Sequence, residues 1–256
     1  MCLIVFAWRP GHPQPLVVAA NRDEFYARPS QPLEHWQDRP GIYAGRDLKA
    51  GGSWLGISND GRFAALTNIR NPHLPQGGPS RGELVADFLH GRQSPADFLD
   101  ALRVRAADYA GFNLLLGDAQ QLWHFNQQQG CAQALPEGLY GLSNASLDSP
   151  WPKLLRAKAA LAACLAQPQT DALLDLLQDR QQAAEEALPD TGVGLPIERM
   201  LSSIFIASPG YGTRASTALI VHRDGRRQLA ERRFGPAGVV LGETRLEIGQ
   251  AKAEQA

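Results

Sequence analysis

The sequence predicts an α+β fold, a four-layer αββα sandwich in which two stacked, mainly antiparallel sheets carry helices on their outer faces. Three observations carry that prediction. Short apolar runs separated by Pro- and Gly-containing turns fill the chain before Arg81 without a helical period. Segments with helical spacing then come in two blocks, and strand-like runs return between the blocks and after the second. The grouping strands, helices, strands, helices, strands is what sheets covered by helices produce. At 256 residues the chain is expected to form one domain spanning 1–256.

Taken in order, residues 2–8 and 15–20 read as buried strands joined by the turn "RPGHPQP". A loop, "YARPSQPLEHWQDRP", follows. Next, "SWLGI" and "RFAALTN" form a hairpin through "SNDG", where Asn and Gly accept positive φ. Arg81 to Leu89 and Pro95 to Val104 are the first helices. Leu84, Val85, Phe88 and Leu89 share a face there, and Ser94 before Pro95 is an N-cap followed by Pro in the first turn. "GFNLLLGD" and "QLWHF" make another hairpin, and "GLYGLSN" a short strand. Trp151 to about Leu188 supplies two more helices. The segment "SSIFIASPGYGTRASTALIVHRDGRRQLAERRF" reads as three strands with turns at "PGYG" and "RDG", and "TRLEIGQ" as an edge strand.

Composition removes several function classes. Hydrophobic residues are 44% and charged residues 20%, ordinary values for a chain with a packed core. The net charge of −1, from 25 basic and 26 acidic residues without a long single-sign block, gives no reason to expect nucleic acid or an anionic membrane as partner. The most basic stretch, "DGRRQLAERR", is accounted for as a solvated hairpin. Cys2, Cys131 and Cys164 have neither the spacing nor the number of a disulfide framework or structural zinc site. The six histidines are isolated, so no metal is expected. The apolar start "CLIVFAW" is too short for a signal sequence or a membrane span, which makes stable membrane insertion unexpected and a cytoplasmic location the expectation.

Cys2 is the candidate nucleophile. Removing Met1 would leave its α-amine, with a pKa of about 7.7 in model peptides, able to take the thiol proton without a histidine. The alternative is a small residue packed at the head of a strand. Polar groups gather at the ends of neighbouring runs: Asn21, Arg22, Asp23 and Glu24 in "AANRDEF", Thr67, Asn68 and Arg70 in "ALTNIR", Ser143 and Asn144 in "GLSNAS", and Thr213, Arg214 and Ser216 in "GYGTRAST". They either end strands and make turns, or converge on Cys2 as a cleft with amide donors for an oxyanion and charges for a ligand. No Walker, nucleophile-elbow, zincin or dinucleotide-binding signature is present.

The motifs "MCLIVFAW", "LVVAANRDEFYARPS", "GGSWLGISNDGRFAALTNIRNP", "SRGELVADFL", "GFNLLLGD", "YGLSNASLDSPWPKL" and "PGYGTRASTALIV" resemble, in that order, the NRDE family, also called the transport and Golgi organization protein 2 family. The likeness spans roughly residues 1–235, with the namesake tetrapeptide intact at Asn21 to Glu24. It implies the N-terminal nucleophile hydrolase fold, whose chemical relatives are cysteine amidases and acyltransferases. By that resemblance Cys2 is the nucleophile, Asn68 and Asn144 serve the oxyanion side, and Arg214 is the late arginine near the thiol. Asn21, Arg22, Asp23, Glu24 and Tyr211 are candidate ligand contacts.

The amidases place two residues between the Arg and Asp that end their second strand, whereas Arg22 and Asp23 are adjacent here. On an extended strand, Arg22 pairs with Glu24 on one face and Asn21 with Asp23 on the other. The resemblance also implies a rival role, trafficking of heme, or handling of acyl-coenzyme A or other lipids. No cofactor is required on either account; heme would be cargo. The expected partner is a hydrophobic small molecule with a polar or anionic group: heme, acyl-coenzyme A or an acyl amide.

Overall fold

The structure, a computed structural model, describes residues 2–73 and 77–249. The first sheet has six strands in the order β10-β1-β2-β11-β12-β13, and the second has seven in the order β3-β4-β5-β6-β7-β8-β9, all antiparallel. The strands of the first are β1 (Cys2–Trp8), β2 (Leu16–Phe25), β10 (Gly138–Leu142), β11 (Tyr211–Val221), β12 (Arg227–Phe234) and β13 (Val240–Ile248). The second holds β3 (Ser30–His35), β4 (Ile42–Asp47), β5 (Leu55–Ser58), β6 (Phe63–Asn68), β7 (Phe112–Gly117), β8 (Leu122–Asn126) and β9 (Cys131–Ala134).

Three apolar layers hold these sheets and their helices together. Ile4, Phe6, Val18, Leu219 and Leu229 of the first sheet meet Leu55, Ile57, Phe63, Ala65 and Leu115 of the second. Behind the second sheet, Ala64, Leu66, Leu114 and Leu116 pack against helices α1 (Gly82–His90) and α2 (Pro95–Arg103). Behind the first, Leu3, Val5, Val17, Ala19 and Ile220 pack against α3 (Pro152–Cys164) and α4 (Thr170–Asp175). The alternation Leu3/Ile4/Val5/Phe6 between two different layers is the period of two of a strand buried on both faces. The predicted αββα order is therefore the observed one.

Several elements differ from the sequence reading. The residues read as a loop after Phe25 contain β3, and β4 follows. Both lie toward the sheet edge, where burial is patchy and a period of two is hard to see (β3 has one buried residue in six). The short edge strand β9 is mostly exposed for the same reason. The run "SSIFIAS" forms no strand; Ile204, Phe205 and Ile206 are buried as irregular chain after a short helix α5 (Leu195–Met200), because Asn21 caps the Ile204 carbonyl and Thr213 the Ile206 amide. The basic "DGRRQLAERR" is not a solvated hairpin: β12 lies inside the sheet, and Arg227 and Glu231 are buried while Arg233 faces inward. No helix among the described residues is long and apolar enough to cross a membrane.

Two glycines bring the second sheet to the start of α1. The Ser53 N–H donates to the Gly82 carbonyl at 3.1 Å, and a Cβ on Gly52 would overlap the Gly82 backbone. Because backbone cannot move aside as a side-chain end can, Gly52→Ala is expected to lower stability by about 1–3 kcal/mol, read by urea denaturation.

Candidate functional site

Cys2 begins β1 and is aligned with Arg22 of β2, which makes the two side chains neighbours on one face. That face looks toward the second sheet, since Ile4 and Ala20, one step deeper, belong to the inter-sheet layer. Between the sheets, at the end where β1 starts and β2 finishes, lies a cleft of about 440 Å³ lined by Cys2, Arg22, Asp23, Glu24, Asn68 and Arg214.

The tetrapeptide does not follow β2; it is its last part, so strand alternation divides it. Asn21 points into the helical layer: its amide donates to the Leu177 and Ile204 carbonyls at 3.0 and 2.9 Å, and its oxygen accepts from Ser216 Oγ at 2.6 Å. Asp23 points the same way, buried, with Oδ1 accepting from Thr213 Oγ1 at 2.8 Å. Arg22 and Glu24 face the cleft and stand 4.0 Å apart. The Asp23 carboxyl is thus on the opposite face from the thiol, but its backbone N–H donates toward the Cys2 sulfur.

Burial raises the Cys2 thiol above its ordinary range, reinforced by the nearby Asp23 carboxylate and opposed by Arg22 and by the Asp23 N–H. Burial likewise raises Asp23, with Lys153 and Arg70 opposing. Lys153, buried in the first turn of α3, is itself pulled down to about 8 by burial.

Arg214 stands at a bulge. The β2–β11 register shifts between Thr213 and Ala215, leaving Arg214 unopposed. Its guanidinium donates to the Phe25, Tyr26 and Arg28 carbonyls at 3.1, 3.1 and 2.7 Å and to Ser30 Oγ at 3.2 Å, so it holds the β2–β3 turn as well as lining the cleft. Tyr211 does not line the cleft; its hydroxyl donates to the Asp23 carbonyl at 3.2 Å.

Asn68 ends β6 and lines the cleft. Asn144 lies on the far side of it, lining a second cavity of about 490 Å³, and its amide donates to the Asn68 carbonyl at 2.8 Å. Around this pair the strand ends are laced together. Thr67 Oγ1 donates to the Ser143 carbonyl, Ser143 Oγ to the Cys2 carbonyl at 3.1 Å, and the Asn113 amide to Thr67 Oγ1 and the Ala145 carbonyl at 3.2 and 2.8 Å. Asn113 Oδ1 accepts from Asn126 at 2.8 Å and meets His124, whose burial drops its pKa to about 4. The Cys2 backbone and the Asn68 backbone thus belong to one buried hydrogen-bonded unit.

A family model for Transport and Golgi organisation 2 matches residues 1–236. The chain belongs to the Transport and Golgi organisation 2 family. It is 35% identical over 268 residues to the human Transport and Golgi organization protein 2 homolog, covering 96% of this chain and 97% of that one. Its likeness to the Drosophila melanogaster Transport and Golgi organization protein 2 is 25% over 263 residues, covering 90% and 91%. Among solved structures it resembles the C2A mutant of conjugated bile acid hydrolase from Clostridium perfringens, with a TM-score of 0.56 at 7% identity over 97% of this chain and 92% of that one. A Caenorhabditis elegans ortholog of N-acylethanolamine-hydrolyzing acid amidase gives a TM-score of 0.50 at 9% identity over 86% and 92%. With these two the chain shares its fold, the N-terminal nucleophile hydrolase fold.

Three cleft residues of this family member escape a reading by motif. Arg81 precedes α1 and donates to the Gly111 carbonyl at 3.1 Å; burial lowers its pKa, and the nearby Cys2 and Glu24 oppose that. Glu231 and Arg233 alternate with Leu229 on β12, and that period of two inside "LAERRF" was the available signal. With them the cleft carries seven basic and four acidic residues, a cationic interior in a chain of net charge −1. Among the described residues, no group of three or more His, Cys, Asp or Glu could hold a metal ion.

Glu231 gives a pH signature. Its Oε1 accepts from the Leu33 N–H at 2.8 Å, and burial pushes its carboxyl up to about 7, against the opposing pull of that N–H, Arg233 and Arg22. An acid whose folded pKa lies above its unfolded value near 4.3 binds the proton more tightly when folded. That stabilisation is complete below the unfolded pKa and is lost as pH rises through 7. Glu231→Gln, which keeps the acceptor and cannot ionise, is expected to gain stability over the wild type between pH 5 and pH 8, by roughly 1–3 kcal/mol at the upper end. Denaturation curves at the two pH values check it; a pH-independent difference contradicts it.

Proposed function

We propose that the protein is an N-terminal cysteine hydrolase or acyltransferase that acts on an amide or thioester of an amphiphilic acyl compound with an anionic group. The observation that carries this reading is the Cys2 sulfur at the cleft beside Arg22, with the Asp23 N–H directed at it. The fold shared with a bile acid hydrolase solved as its C2A mutant adds support, since that name places a cysteine at the same ordinal position.

In the proposed reaction Met1, which lies outside the described residues, is first removed. The freed α-amine takes the thiol proton, and the thiolate adds to the substrate carbonyl to form a tetrahedral oxyanion. The Asn68 side-chain amide donates to that oxyanion, and Asn144 keeps Asn68 in place through the Asn68 carbonyl. The oxyanion collapses, the C–N or C–S bond breaks, and the ammonium proton goes to the leaving amine or thiolate. Water, or an acceptor amine or alcohol, then attacks the Cys2 thioester, and the thiol is regenerated. Arg22 and Arg81 stabilise the thiolate against burial.

A second reading follows from one observation. The Asp23 carboxyl is directed to the face away from the thiol, where it accepts from Thr213 Oγ1. On that reading the cleft carries an amphiphilic anion such as heme or acyl-coenzyme A without turning it over.

Cys2→Ala separates the two. Hydrolysis or transfer predicts at least a hundredfold loss of turnover on acyl-amide and acyl-thioester probes, and an acyl adduct on the wild-type Cys2 peptide trapped by mass spectrometry. Equal turnover by the variant, or Met1 retained in the intact mass of active protein, defeats the proposal. A saturable Soret shift on heme titration, preserved in Cys2→Ala, would support the carrier.

A further inference from the structure

The cross-strand row that starts at Cys2 continues beyond the groups used in that chemistry. Register aligns Cys2 with Arg22, Arg22 with Ala215, and Ala215 with Arg233. Leu219 and Leu229 on the same strands face the second sheet, and so by alternation do Ala215 and Arg233. All four residues of the row line the cleft. Neighbouring strands stand about 4.8 Å apart, so the backbones of Arg22 and Arg233 are roughly 10 Å apart with only the Ala215 methyl between them.

Neither guanidinium is engaged as a structural arginine would be. Among the described residues, Arg22 reaches only the Glu24 carboxylate, at 4.0 Å. Arg233 is half-buried and has no hydrogen bond or ion pair among the described residues, and its Nε is buried without an acceptor. Arg214, by contrast, spends its donors on three carbonyls and a hydroxyl. Both arginines line the cleft, Arg233 with its guanidinium over Gly242 of β13 and a buried Nε lacking an acceptor, and guanidiniums so placed have the chemistry of an oxyanion clamp. One step deeper, Glu231 also lines the cleft, with one oxygen held by the Leu33 N–H. It limits how far an anion can descend and sets the subsite at the level of Ala215.

We propose that Arg22 and Arg233, on either side of Ala215, form a subsite for a phosphate or carboxylate group of the ligand. This rests on the reading that the reacting carbonyl is held at Cys2. The anion then lies two strand spacings, roughly 10 Å, from the nucleophile. The ligand class follows: an elongated molecule with its anionic group remote from the reacting carbonyl. A compound whose carboxylate adjoins that carbonyl cannot reach both ends.

Isothermal titration calorimetry of the full chain with inorganic pyrophosphate, and separately with glutarate, tests the subsite without any bond breaking at Cys2. The wild type should bind at least one of the two saturably. Preference for pyrophosphate identifies a phosphate ligand, and preference for glutarate a carboxylate one. Arg233→Ala should weaken binding at least tenfold, with Arg233→Lys recovering part of the loss. Circular dichroism establishes that the variant is folded; if Arg233→Ala does not fold, Ala215→Leu, which fills the gap and keeps both arginines, decides instead by the same tenfold criterion. No saturable binding of either anion to the wild type, or unchanged affinity in the deciding variant, overturns the proposal. Lost turnover of acyl probes with intact anion binding would count against the chemistry alone, and retained turnover with no anion binding against the subsite alone.

Discussion

The arrangement depends on β2 being a central strand buried on both faces. With β1 on one side, β11 on the other, a helical layer behind and the second sheet in front, successive side chains of this strand have no common environment. Strand alternation therefore assigns Asn21 and Asp23 to fastening the helical layer and Arg22 and Glu24 to the cleft. A slip of one residue would exchange the two sets, putting a guanidinium among Leu177 and Ile204 and emptying the cleft of its charge. The apolar residues before the tetrapeptide, Val17 and Ala19 on one side and Val18 and Ala20 on the other, fix the register against that slip.

Given that register, the polar groups at the strand ends have to satisfy one another, because water does not reach them. A buried donor or acceptor left alone costs about 1–3 kcal/mol, more than a made hydrogen bond returns. Asn113, Thr67, Ser143, Asn144 and the Cys2 carbonyl answer that demand as one unit, and through it a position on β7 governs where β1 begins. Cations at the cleft follow a different logic. Arg214 is spent on a turn, while among the described residues Arg22 meets only Glu24, at 4.0 Å, and Arg233 has no hydrogen bond or ion pair.

The layers of the fold were legible because their strands are apolar on both faces, as in "LIVFAW" and "LVVAA", and the parity argument from "NRDE" separated Arg22 with Glu24 from Asn21 with Asp23. Two things were not legible. The first is which face looks at the thiol: that depends on the pairing of Cys2 with Arg22, a contact across a turn whose length does not set register by itself. The second is any residue whose role comes from a remote neighbour. Arg214 is re-aimed by a bulge, Asn144 acts on the Asn68 carbonyl, and Glu231 is buried by β3, a strand too exposed to be read. Charge density in "RRQLAERR" pointed to solvent because composition carries no information on which strand neighbours will cover it.

The central claim is that Cys2 faces a cationic cleft. Alkylation by iodoacetate and by iodoacetamide, followed for each cysteine by mass spectrometry of its peptide, measures this, since the reagents differ chiefly in charge. Cys131 is exposed and serves as the internal reference. The account predicts that the ratio of iodoacetate to iodoacetamide rates is several-fold higher at Cys2 than at Cys131, and that salt reduces the difference. Equal ratios, or a Cys2 that neither reagent reaches in the folded protein, would contradict it.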